Sequence, residues 1–259
     1  MTIRFCANAA KVLAACLPFL AFPALAEESR APGIDFELGA GANFQARYEG
    51  SDSYAVGPWP IFRLKGLTFA NGFNIGGGDG TGLSLKPSFR YIGKRTAADF
   101  PELSGLNDVD AAFEIGLGAS YATDQWRIFG DLRAGLGGHD GLVGEIGADV
   151  ILRPSPELAV WAGPRLSFAS ADYMNTYFGV TAAESIASGL TGFDAGGGIK
   201  SAGAEIGMRY DFNKVWALEG SASYARLIGD AGDSPITALG DADQYGLKIG
   251  LVRSFRIDF

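Results

Sequence analysis

Ile34-Asp-Phe-Glu-Leu-Gly-Ala-Gly-Ala-Asn-Phe-Gln-Ala-Arg-Tyr48 alternates between two chemistries without a break. Its even positions, Ile34, Phe36, Leu38, Ala40, Ala42, Phe44, Ala46 and Tyr48, are all apolar or aromatic. The odd positions, Asp35, Glu37, Gly39, Gly41, Asn43, Gln45 and Arg47, are all polar or lack a side chain. Successive side chains of an extended chain point to opposite faces, so this stretch is a strand with one apolar and one polar face. It is longer than the roughly 5–6 residues of an ordinary soluble strand. It satisfies the roughly 9–11 residues that a tilted strand needs to cross a bilayer.

Working outward, the same alternation recurs with changed parity from Val109 to Tyr121, Trp126 to Leu136, Leu142 to Leu152, Leu158 to Phe168, Ala202 to Tyr210 and Trp216 to Tyr224. The last strand places Tyr245, Leu247, Ile249, Leu251, Phe255, Ile257 and Phe259 on one face, interrupted only by Arg253. A soluble sandwich also alternates, but three features favour a membrane barrel. The segments are long, and aromatics (Tyr48, Tyr91, Tyr121, Trp126, Tyr210, Trp216, Tyr224) cluster near segment ends, where girdles meet headgroups. The chain also closes on Phe259 after an alternating strand, which resembles the carboxy-terminal signal read by outer-membrane assembly machinery. The fold class is all-β, an antiparallel up-and-down transmembrane β-barrel.

Residues 1–26 read as an export signal: Arg4 and Lys11, an apolar run from Val12 to Ala24, and an Ala24-Leu25-Ala26 cleavage site. Leu13-Ala14-Ala15-Cys16 offers a rival lipoprotein box, but Lys11 lies too close to Cys16 for the usual apolar stretch. Cleavage after Ala26 leaves residues 27–259 as the barrel domain, located in a Gram-negative outer membrane. Cys6 and Cys16 are both lost with the signal, so disulfides and thiolate metal sites are excluded. The mature chain keeps 19 basic side chains against 29 acidic ones, a net charge of −10, which argues against nucleic acid. The 38 glycines and 12% aromatics suit strands and turns.

Connections alternate in length, as expected for tight periplasmic turns and long outer loops. The short ones are 123–125, 153–157 and 212–214; the long ones are 93–108, 169–199 and 228–243. Counting back from a periplasmic Phe259 makes the Ile34 strand ascend if 58–80 holds three short strands turning at Lys65-Gly66, Asn71-Gly72 and Gly78-Asp79-Gly80. That gives twelve strands, or ten if the stretch is irregular. Thr181 and Glu184 have capping-box spacing, which predicts a short helix from Ala182 to Ser188 in an outer loop.

The inward row mixes both signs: Glu37, Arg47, Arg90, Glu114, Asp131, Arg133, Glu145, Asp149, Arg165, Glu205, Arg209 and Glu219. It forms either a wet, weakly selective pore or a ladder of paired charges that fills the lumen. Pairing is favoured, because lone charges in a tight lumen need partners. His139, the one histidine, is followed by Asp140 in an outer loop, but consecutive residues point apart and no serine nucleophile is evident beside them. Gly76–Gly82 lacks the Gly-Lys-Ser/Thr of a phosphate loop and reads as a turn. The loop acids Asp52, Asp108, Asp230, Asp233, Asp241 and Asp243 could bridge divalent cations to lipopolysaccharide, though such charges are more often simply solvated. No catalytic, cofactor-binding or metal residue is expected.

Four loop strings carry a family resemblance. They are Tyr48-Glu-Gly50-Ser51-Asp52, Asn107-Asp108-Val-Asp110, Asp172-Tyr173-Met-Asn-Thr-Tyr177-Phe178-Gly179-Val180 and Asp230-Ala-Gly-Asp233-Ser234-Pro235-Ile236. They resemble the MipA/OmpV family, outer-membrane proteins named for an MltA-interacting scaffold. The resemblance implies a non-enzymatic barrel of the murein-synthesis machinery, whose partners would be a lytic transglycosylase and a penicillin-binding protein. It leaves open a passive small-solute channel or a surface adhesin. Outer-membrane lipid, lipopolysaccharide and the barrel assembly machinery complete the expected partners.

Overall fold

The structure is a computed structural model that describes residues 31–70, 74–75 and 81–259. The expected export signal and the expected turns at Asn71-Gly72 and Gly78-Asp79-Gly80 lie outside the described residues. The first half of the wall comprises β1 (Gly33–Ala46), β2 (Tyr54–Thr68), the two-residue β3 (Asn74–Ile75), β4 (Gly82–Ile92), β5 (Ala112–Ala122) and β6 (Trp126–Gly137). The second comprises β7 (Leu142–Ser155), β8 (Leu158–Ala169), β9 (Gly198–Asp211), β10 (Trp216–Leu227) and β11 (Asp243–Asp258). They form one antiparallel sheet in the order β3-β2-β1-β11-β10-β9-β8-β7-β6-β5-β4. Sequence neighbours pair from β1 to β3 and from β4 to β11, and β11 returns to β1, with Phe36 opposite Phe255 and Ala42 opposite Ile249. The result is a nearly closed barrel.

Among the described residues the wall has ten long strands, which corrects the count of twelve and matches the alternative of ten. The expected turn at Lys65-Gly66 is instead a bulge inside β2. Asp35 pairs with Gly66 and Phe36 with Leu64, which leaves Lys65 as the extra residue. The strand escaped detection because its inward face carries Trp59 and Ile61, so polar and apolar residues do not alternate along it.

Large apolar side chains cover the outside: Leu83, Phe89, Phe113, Leu117, Ile128, Val150, Ile206 and Ile249 are all exposed. Water would make such a surface a severe liability, whereas hydrocarbon makes it the correct solvent. Aromatic pairs mark both ends of this belt. Tyr121–Trp126 and Tyr210–Phe212 lie at the end that carries Gly33 and Phe259. Phe44–Tyr54, Tyr91–Phe113 and Tyr224–Tyr245 lie at the far end.

The buried apolar clusters are at the far mouth and draw mainly on loops, not on the wall. One joins Val109, Val143, Ala169, Tyr173, Met174, Tyr177, Phe178, Ala195, Leu227 and Ala231; the other joins Tyr48, Phe100, Leu103, Leu106, Val180 and Ile236. Among the described residues three α-helices build this cap, α1 (Ala171–Phe178), α2 (Ala182–Ser188) and the four-residue α3 (Asp230–Asp233), with short 3-10 turns at Pro101–Leu103 and Thr237–Leu239. In α2, Thr181 accepts from the Glu184 backbone N–H at 3.3 Å, and Glu184 accepts from the Thr181 N–H at 2.8 Å, a reciprocal capping box.

Candidate functional site

Helix α1 lies across the far mouth because its sequence gives it one face to bury. Tyr173, Met174, Tyr177 and Phe178 all point away from water, while Asp172 and Asn175 stay exposed. Side chains tie the helix to its surroundings. The Ser170 hydroxyl accepts from Leu142 N–H on the wall at 2.9 Å, and Asn175 Oδ1 accepts from Ala195 N–H at 2.9 Å. Gly179 ends the helix, its N–H donating to the Asn175 carbonyl.

Beneath α1 sits a charged knot. The Tyr173 hydroxyl donates to Glu49 at 3.0 Å, and Glu49 is also held by Lys200 and by Arg90 at 2.9 Å. Burial alone would raise the Glu49 carboxyl, but the Lys200 ammonium and Arg90 guanidinium overcome it and hold it down at about 2. Burial pushes the Tyr173 phenol well above its ordinary value, reinforced by the Glu49 charge. His139 is buried edge-on against Tyr173 at 4.8 Å and Tyr177 at 5.6 Å. Its Nδ1 accepts from Gly141 N–H, and its Nε2 lies 3.5 Å from Glu114 Oε1 without completing a hydrogen bond. Burial lowers the His139 pKa below its ordinary value, against the pull of Glu114.

The lumen below carries ion-pair networks. Nearest the termini, Glu37 and Glu219 are each bridged by Arg63 and Arg209, at 2.5–2.8 Å. A second network runs Arg127–Asp149–Arg165–Glu205, with Asp149 fully buried between the two arginines. A third joins Arg133 to Glu114 at 2.8 Å, with Arg90 at 4.0 Å, and Lys86 faces Asp131 at 3.6 Å. Between networks and cap lies a cavity of about 1140 Å³.

Of the expected inward row, two members stand apart. Arg47 lies just beyond β1, exposed, with its guanidinium 4.6 Å over the Phe100 ring, so it belongs to the cap. Glu145 makes no ion pair among the described residues. The expected inward row left out Arg127, although its strand sets it on the polar face, and the sequence reading missed Glu49, Arg63, Lys86 and Lys200. Arg63 was hidden by the misread β2; placed in register it stands opposite Glu37. Glu49 and Lys200 are separated by 151 positions, and nothing local signals that they meet.

The loop strings converge on the cap. Tyr48 packs edge-on against Phe100 and donates to Glu102 at 3.2 Å; burial raises its phenol to about 12. Gly50 has φ +92 and abuts Thr237, and Ser51 is fully buried, while Asp52 faces water. Buried Ser234 donates to the Phe178 carbonyl at 2.6 Å, Pro235 follows half-buried, and exposed Asp233 ends α3. Asp108 accepts from Ala97 N–H at 3.0 Å and Asp230 from Gly196 N–H at 2.7 Å, while Asp110 is exposed. Among the described residues, no group of three or more His, Cys, Asp or Glu is placed to hold a metal ion.

An apolar belt bounded by aromatic girdles, a charged lumen and an antiparallel ten-stranded wall define a membrane-spanning β-barrel of the outer-membrane type. Sequence comparison makes the assignment specific. The MltA-interacting protein MipA family matches residues 38–255, and the chain belongs to that family. No curated protein sequence matches the chain. Among solved structures, it is similar to the COG4313 outer membrane channel from Pseudomonas putida F1, at 12% identity and TM-score 0.44, covering 88% of this chain and 97% of that one. It is also similar to the NanC porin, at 8% identity and TM-score 0.38, covering 84% and 98%. A third is the N-terminal β-barrel domain of Pseudomonas aeruginosa OprF, at 13% identity and TM-score 0.31, covering 68% and 98%.

Proposed function

We propose that this protein is a non-enzymatic outer-membrane scaffold for peptidoglycan synthesis and remodelling, and not an open pore. The observation that carries the reading is the plug: Tyr173 lies fully buried across the far mouth, locked to the wall through Glu49, Arg90 and Lys200. Below it, a solute would have to part paired charges at several levels, each costly to separate in a narrow lumen. A blocked barrel serves as a platform. The family's name points to a lytic transglycosylase as partner, and the resemblance adds a penicillin-binding protein. Residues 31–32 and the tight turns around 123–125, 156–157 and 212–215 offer the periplasmic surface on which such enzymes would dock. Phe259, exposed at the same rim, is left for the assembly machinery to read. Capture of a purified lytic transglycosylase by the refolded barrel tests the scaffold; failure of the two to associate would count against it.

The cavity of about 1140 Å³ favours a second reading, a gated small-solute channel. Planar-bilayer recording separates the two. The scaffold reading expects no conductance from the native barrel, whereas single-channel steps, enlarged by Tyr173→Ala, would establish the channel.

A further inference from the structure

The sheet ends at β4 on one side and, on the other, at β2 with the two-residue β3 paired to its Leu67–Thr68 end. Among the described residues no backbone ladder joins β4 to β2 or to β3, which leaves a seam along β2 above Leu67. The large cavity extends through this seam. Its lining includes inward-facing Trp59, Lys86 and Arg90 together with Phe62, Leu64 and Phe89 of the outer face. An unzipped edge in hydrocarbon is normally too costly, because each orphaned N–H or C=O loses several kcal/mol or more.

The sequence reduces that cost at this seam. Just past the end of β1, Arg47 N–H donates to the Ser53 carbonyl, so inward, odd-numbered residues of β2 bond to β1 and outward, even-numbered ones turn toward β4. Pro58 and Pro60 are even-numbered. Beyond the other ascending strands, outward residues bond to the preceding strand, as in Gly138 to Ala111, Ser170 to Leu142 and Ile228 to Lys200. The same handedness turns outward Pro87 of β4 toward β2. Three prolines therefore aim their nitrogens into the seam, where they leave no N–H to orphan. They also prevent a strand of another chain from zippering onto either edge.

We infer that the β2/β4 seam is a lateral portal through which the acyl chain of a bilayer lipid reaches the lumen. Phe62, Leu64 and Phe89 form its apolar sill, and Trp59 stands on the lumen side. The inference rests on the barrel spanning a membrane and is independent of the scaffold reading.

The test uses single-tryptophan variants of the mature chain, which retain Trp59, Trp126, Trp161 or Trp216 with the other three changed to Phe. Each is reconstituted in vesicles of phosphatidylcholine brominated on its acyl chains. Trp126 and Trp216 are exposed on the outer face, so their quenching verifies that the wall meets lipid. Trp59 and Trp161 both face inward, but Trp161 stands on β8, away from the seam. Trp59 is expected to be quenched severalfold more than Trp161. Bridging Phe62→Cys to Phe89→Cys with a short bis-maleimide should then reduce Trp59 quenching to the Trp161 level. The bridge alters the seam alone, so it separates entry from any difference in depth, and the unbridged cysteine pair controls for folding. Equal quenching of Trp59 and Trp161, or quenching that survives the bridge, would overturn the portal. Loss of quenching at Trp126 and Trp216 as well would instead overturn the membrane-spanning wall.

Discussion

Replacing Glu37 with Ala should be among the most destabilising single changes available in the lumen. Its carboxylate is inaccessible to water and accepts from Arg63 at 2.5 Å, from Arg209 at 2.8 and 3.1 Å, and from Ser254 at 3.2 Å. Removing it leaves two guanidinium groups sharing Glu219, with like charges close together. Breaking a buried ion pair by deleting one partner costs about 3–5 kcal/mol. Arg63 is 41% and Arg209 19% exposed, so water recovers part of that loss, and the low end, about 3 kcal/mol, is the expectation. Urea titration of the refolded barrel, followed by tryptophan fluorescence and by heat-modifiable gel mobility, measures it. Adding Arg209→Ala to Glu37→Ala should cost less than the sum of the two single changes, because the second removes a charge the first has orphaned. A loss below about 1 kcal/mol, or additivity within about 0.5 kcal/mol, would refute the account of a mutually dependent quartet.

Three further outcomes concern the cap. Ser234→Ala removes a buried hydroxyl that donates to Phe178 O and accepts from Ile236 N–H, and should cost about 1–3 kcal/mol. Faster hydrogen exchange confined to α1 and α3, with the wall strands unchanged, would be the signature. Gly50→Ala should destabilise the same cap by about 1–3 kcal/mol, because φ +92 strains any side chain and an added Cβ would stand a tight 3.0 Å from the Thr237 hydroxyl. Protease susceptibility of the loops reports it, and wild-type resistance would contradict it. Acid should loosen the cap in two stages. The lowered His139 pKa means the unfolded chain takes up the proton first, so stability falls as pH drops below the ordinary histidine value of 6.5. Glu49, held at about 2 against an ordinary 4.5, then withdraws up to about 3 kcal/mol as pH falls from 4.5 toward 2. Hydrogen exchange of α1 at neutral, mildly acidic and strongly acidic pH measures both; a cap equally protected at all three would refute the assignment.

The wall was legible because its two faces meet different solvents, and that contrast is written at every second residue from Ile34 onward. It failed where the contrast fails. In β2 the lumen face turns apolar at Trp59 and Ile61, so a single bulged strand looked like several short ones, and Arg63 was lost with it. The capping box of α2 is a local signal and could be read directly. Helix α1 has no such signal, since Ser170 spends its hydroxyl on the wall instead of on its own helix. The knot of Glu49, Arg90, Lys200 and Tyr173 draws on four distant segments, and its members become neighbours only once the barrel has closed.

The position of the buried apolar clusters has a consequence for how sequence change is tolerated. A wall residue facing lipid can be exchanged for almost any other apolar residue, because hydrocarbon makes no demand on shape. The cap is the region where side chains must interlock, and it consists of connecting segments. This reverses the usual rule that connections vary and the scaffold endures. Substitutions should accumulate in the strands while the loops hold still, and a short stretch such as Asp172–Val180 becomes a better identity tag for the molecule than any of its transmembrane strands.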